Sequence, residues 1–117
     1  MEVKKMTNQL VTKNFFEAVL DIIAENTSTN YGIIALNGIK EQLSKQFKFL
    51  RNVHISKSTI EVSGNINSVG KNELKMFFIK SINIIGPNYL KVLLSRRLNQ
   101  KDLVYLENIG IRFGLKD

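Results

Sequence analysis

Apolar residues recur at three- and four-residue spacing early in the chain. Val11, Phe15, Ala18, Val19 and Ile22 share one face, with Glu17 and Asp21 opposite, and this pattern predicts a first helix over about residues 12–25. Asn14 followed by Glu17 has the spacing of a capping box and is one candidate start. The polar run over residues 26–30 ends the helix. A second helix is predicted over about residues 31–49, where Leu36, Ile39, Leu43, Phe47 and Leu50 make a narrow apolar seam. On its other side Glu41 and Lys45 stand four apart in the favourable order.

The period then changes from 3.6 to 2. Val53 and Ile55 alternate with His54, and Ile60 and Val62 with Glu61. A β-hairpin over residues 52–63 follows, turning near Lys57 and Ser58 and pairing Ile55 with Ile60 and Val53 with Val62 on the buried face. Gly64 and Gly70 bound a loop in which Ser68 is a plausible cap. A third helix over residues 71–85 turns Leu74, Phe77, Phe78, Ile82 and Ile85 to one side. Gly86-Pro87 breaks it, and Pro87 suits the first position of a fourth helix up to Leu98. Asn99 with Asp102 is the spacing of a cap for a short fifth helix over residues 101–108, stopped at Gly110. Ile111, Phe113 and Leu115 alternate with polar or small residues and are expected to pack as an extended tail. The fold class expected is α+β, predominantly helical, with about five helices and one hairpin in a single domain covering residues 1–117.

The fourth helix raises a specific question. At 100° per residue, Tyr89, Leu90, Val92, Leu93, Leu94 and Leu98 spread round most of the circumference, and only Lys91 and Ser95 mark a polar arc. A helix apolar on nearly all sides is predicted to be buried. Arg96 and Arg97 sit at its end, where they complement the helix dipole while their stems cover apolar surface. The stretch therefore reads as the packed centre of the domain, not as a recognition helix.

Composition narrows the function classes. The 117 residues suffice for one core without staples. Cysteine is absent, which excludes disulfides, thiolate catalysis and zinc–thiolate sites. No apolar stretch follows Lys4 and Lys5, so no signal peptide is expected, and the greasiest segment, residues 74–94, is interrupted by Lys75, Lys80, Pro87 and Lys91. A cytoplasmic location and no membrane span are the corresponding expectations. The Asn26-Thr27-Ser28 glycosylation pattern carries little weight without a secretion signal.

The net charge is +7, and residues 40–101 carry twelve Lys and Arg against three Glu. Such a basic middle could attract a polyanion. It also matches the Asn-, Ile- and Lys-rich bias of an AT-rich genome. Lys45, Lys48 and Arg51, with Arg96 and Arg97, are the candidate polyanion contacts, and Phe49 is a candidate stacking ring beside them.

Catalytic chemistry finds few candidates. His54 is the only histidine, and Glu61, its predicted cross-strand neighbour, makes it an exposed surface pair. No glycine-rich phosphate loop, nucleophile elbow or metal-ligand spacing occurs. No catalytic residue, metal or cofactor is therefore expected. The third helix holds an anomaly instead: Met76 and Ile79 share an arc with Lys75, Lys80 and Asn83. Apolar residues three apart on a polar face mark an interface unless a chain end covers them. The expected function is a non-enzymatic interaction or regulatory module that self-associates as a homodimer or binds a protein partner. The alternative is a basic protein that binds nucleic acid electrostatically.

Overall fold

The first helix begins earlier than its apolar period implies. In the computed structural model, which describes residues 6–56 and 59–113, α1 spans Asn8–Asn26. Its cap is Thr7, whose side chain accepts a hydrogen bond from the Leu10 amide. Asn14 and Glu17 are not a start: both lie inside α1, where a side-chain cap has no free amide to satisfy. A two-residue link follows, and Ser28 caps α2, Thr29–Leu43. Gly32 lets α2 approach α1 closely, since a Cβ there would stand 2.7 Å from Leu20 Cδ1.

The second helix also differs from expectation. It stops at Leu43 because Phe47 adopts extended backbone, φ −117° and ψ 92°, before a 3-10 turn over Lys48–Asn52. Phe47 still reaches the core. Lys45 consequently lies beyond the helix, and the expected pair with Glu41 is not formed.

Two short strands follow, β1 Val53–Ile55 and β2 Ile60–Val62. They are antiparallel, with Val53 opposite Val62, His54 opposite Glu61 and Ile55 opposite Ile60. This is the expected register; the turn residues Lys57 and Ser58 lie outside the described residues. The loop after the hairpin forms a second 3-10 turn, Gly64–Ser68, capped by Ser63. Ser68 bonds back to the Asn65 carbonyl, and Gly70, not Ser68, precedes α3, Lys71–Ile85. Gly86 joins α3 to α4, Pro87–Arg97, with φ at 137°, a region that favours glycine, and Pro87 occupies the first turn of α4. Asn99 and Asp102 form the complete capping box of α5, Gln100–Asn108. Ile111 and Phe113 then turn into the core, while Leu115 lies outside the described residues.

The elements enclose one hydrophobic core. Six phenylalanines meet in it, and Phe77 of α3 contacts the other five. Its ring lies 5.2–6.3 Å from those of Phe15, Phe16, Phe47, Phe49 and Phe78. Phe15 and Phe16 come from α1, Phe47 and Phe49 from the α2–β1 connection, so this cluster joins the two halves of the chain. The radius of gyration is 13.6 Å, against about 13 Å expected for a compact chain of this length.

Polar side chains fix α1 within the assembly. Asn8 Nδ2 donates to the carbonyls of Ile66 (3.0 Å) and Val69 (3.1 Å), while its Oδ1 accepts from the Tyr105 hydroxyl of α5. Gln9 Nε2 donates to the Val62 carbonyl at 2.7 Å, tying β2 to the same turn.

Candidate functional site

The candidate residues divide among four elements of the fold: the hairpin, the α2–β1 connection, α3 and α4. His54 and Glu61 lie opposite each other on the exposed face of the hairpin. Among the described residues no Ser or Thr is hydrogen-bonded to either side chain.

Lys45, Lys48 and Arg51 are all exposed on the α2–β1 connection. Arg51 and Lys40 line an open groove of about 730 Å³ together with Ile33, Ile34 and Glu41. The aromatic companions of these cations do not face outward. Phe47 and Phe49 are 2% and 8% exposed and belong to the phenylalanine cluster, so Phe49 cannot stack on a base. Arg96 is exposed on α4, whereas Arg97 is paired with Glu25 of α1. The two cation groups sit on elements whose main contacts differ. The Lys48–Asn52 turn packs on β1 and on the Gly64–Ser68 turn, while α4 packs on α1 and α3.

The outer face of α3 is centred on Met76, which is 42% exposed. Ile79 is half-buried and packs against the core. Lys80 is also half-buried, and the Lys75 stem runs against Gly110, where a Cβ would meet its Cε at 2.8 Å. Of the two apolar side chains in this group, Met76 alone is exposed.

Helix α4 departs most from the sequence reading. It is not the packed centre of the domain. Leu90 and Leu94 are buried, but Tyr89 is 55% and Val92 47% exposed. The physical reason is the size of the fold. Helix α4 packs mainly on α1 and α3. Two neighbours can cover roughly half of a helix, so the remaining apolar arc faces out. Tyr89, Val92 and Arg96 lie within about 60° of one another on this outer arc. The Asn26 amide donates to the Tyr89 hydroxyl at 3.3 Å, which braces the ring while leaving it exposed.

A polar pair between α1 and a buried carboxylate of α5 went unforeseen. Asp102, 2% exposed, completes the α5 capping box and also accepts from Asn14 Nδ2 at 2.9 Å. The cap is legible from the Asn99–Asp102 spacing; the partner on α1 is not, because residues 88 positions apart carry no shared period. Tyr105, bonded to Asn8, has its pKa raised above 10.0 by burial, so its phenol stays neutral and acts as a donor. Both pairs tie α5 to α1. Among the described residues no group of three or more His, Cys, Asp or Glu could hold a metal ion, and no helix is long and apolar enough to cross a membrane.

No family model, curated protein or solved structure matches this chain.

Proposed function

We propose that this protein is a non-enzymatic interaction module that associates with a second copy of itself, in the cytoplasm. The observation that carries this reading is the outer face of α4. Tyrosine and arginine are the side chains most enriched at binding hot spots, and here they flank an exposed valine on a helix that its neighbours cover on one side. Covering the exposed halves of Tyr89 and Val92 is worth about 1 kcal/mol each. Met76 and Ile84, 42% and 39% exposed on α3, add apolar surface on the adjacent helix. The test is sedimentation equilibrium from about 10 µM to 1 mM. The expected result is an apparent mass rising with concentration; a constant 13.4 kDa species would refute it.

A second reading, electrostatic binding of nucleic acid, is favoured by one observation. Lys45, Lys48 and Arg51 are exposed together and form no ion pair among the described residues. Against it stands the burial of Phe49, which removes the stacking platform that single-strand binders use. Salt separates the two readings. Copies carrying +7 each associate more tightly as salt screens their repulsion. Polyanion binding weakens with salt, with a log–log slope of about −3 if three or four phosphates are contacted.

A further inference from the structure

The outer arc of α4 has a property that selects a particular occupant: its residues complement their own two-fold copy. We infer that α4 is the seam of the homodimer, packing antiparallel on α4 of the second copy so that each Tyr89 ring receives the Arg96 guanidinium of the other. This rests on the self-association reading and assigns it a surface and a register.

The geometry follows from helix dimensions. A two-fold axis passing between positions 92 and 93 places residue 89 of one copy opposite residue 96 of the other, and the reverse. A tyrosine face attracts a guanidinium within about 6 Å of its centroid, so the pairing is made twice. Val92 sits beside the axis, between the two pairs. The seven residues separating Tyr89 from Arg96 also hold the two Arg96 side chains about 10 Å apart along the axis, close to one Debye length. A parallel arrangement would set Tyr89 against Tyr89 but also Arg96 against Arg96, a like-charge contact that the antiparallel register avoids.

The neighbouring charges are disposed to allow this contact. Arg97 is engaged with Glu25 of its own copy, and Lys91 lies about 100–160° round the helix from Val92, Arg96 and Tyr89. Helix α4 contains no acidic residue, so Arg96 has no partner along its own helix. Tyr89 is braced by Asn26, which reduces the ordering cost of presenting its ring. An 11-residue helix is about 16 Å long, so the contact falls in the small-interface class below about 1,200 Å². The dimer is accordingly reversible and concentration-dependent.

The chain has no cysteine, which makes the test direct. In this register the two Cα atoms at position 92 approach to roughly 4–6 Å, within disulfide range. Val92→Cys is expected to form an intermolecular disulfide under mild oxidation, at concentrations where the wild type dimerises. Ile34→Cys on α2 and Val104→Cys on α5, at comparably or more exposed positions, are expected to cross-link at least about tenfold more slowly. In sedimentation, Arg96→Glu raises the dimer Kd about tenfold or more, and adding Tyr89→Arg brings it back, because each new carboxylate then faces the other copy's new guanidinium. A wild type that dimerises while Met76→Cys cross-links rapidly and Val92→Cys does not would leave self-association standing and overturn the α4 seam. Failure of the double variant to recover would overturn the register. A wild type that stays monomeric at 1 mM would overturn self-association itself, and the seam with it.

Discussion

Phe77→Ala is the substitution that most directly interrogates how this fold is held. Phe77 is fully buried, and its ring meets five others at centroid distances of 5.2–6.3 Å, three of them at interplanar angles of 68–82°. Truncating a buried phenylalanine to alanine costs about 3–5 kcal/mol through lost transfer energy and the cavity left behind. Edge-to-face partners add about 0.5–1.5 kcal/mol for an isolated pair, though not additively over five rings. The upper end, about 4–5 kcal/mol, is expected, because the surrounding rings come from three separate segments and cannot all collapse into one void. A chain of 117 residues has a total stability of about 6–18 kcal/mol and an unfolding entropy of about 0.25 kcal/mol/K. The loss therefore lowers Tm by about 16–20 °C. Thermal melts by circular dichroism and urea titrations measure this, with the urea slope m unchanged if unfolding stays cooperative. Phe77→Leu keeps most of the volume and should cost about 1.5 kcal/mol or less. A Phe77→Ala loss below about 1 kcal/mol, or a Tm drop under about 4 °C, would refute the reasoning. It would mean the rings pack loosely and the two halves of the chain are joined elsewhere.

Four further outcomes are expected. Asp102→Ala removes a cap and leaves the Asn14 amide unpaired, costing about 2–3 kcal/mol in denaturant titration. Thr12→Val replaces a fully buried hydroxyl that has no hydrogen-bond partner among the described residues, and melts should show a gain of about 1 kcal/mol. His54→Ala touches an exposed cross-strand pair worth about 0.2–1 kcal/mol, so its melting curve should nearly overlay the wild type; a large loss would mean the hairpin face is covered. Tyr105 has a folded pKa raised above 10.0 by burial. Its contribution is fully present below pH 10 and is lost as pH rises towards the folded pKa, because the unfolded chain ionises first. Tyr105→Phe should abolish that part of the alkaline decline in stability, read as Tm against pH.

Local rules made most of the fold legible before any coordinates. The hairpin register follows from Val53, Ile55, Ile60 and Val62 alternating on one face, since a one-residue slip would turn all four outward. The α3–α4 break follows from Gly86 and Pro87, and the α5 start from Asn99 and Asp102. Boundaries failed where tertiary contacts override local preference. Asn8 and Gln9 look like unremarkable polar residues before the apolar period begins, yet they extend α1 by one turn because their amides reach Ile66, Val69 and Val62. Phe47 and Leu50 continue the apolar seam of α2, but the chain leaves the helix at Leu43 so that Phe47 and Phe49 can both enter the ring cluster. No spacing in the sequence distinguishes a seam that continues along a helix from one that turns a corner into the same core.

The candidate site was legible in a different sense. Hydrophobic periodicity reports which side chains avoid water, not which molecule covers them. For α4 the apolar residues round most of the circumference imply burial, and a single copy of the chain buries only the arc holding Leu90 and Leu94. Met76 on α3 poses the same contrast less sharply, because Ile79 beside it does find the core. The basic middle of the sequence divides likewise once folded. Arg97 is paired with Glu25 and the Lys75 stem lies against Gly110, leaving Lys45, Lys48 and Arg51 exposed on the α2–β1 connection and Arg96 exposed on α4. Charge density along the chain thus overstates the polyanion surface, whereas apolar density along α4 understates nothing: the excess of apolar side chains over available core is itself the signal. The second copy proposed for α4 rests on that excess, with Tyr89 and Val92 exposed, and on the self-matching order of tyrosine, valine and arginine along the helix.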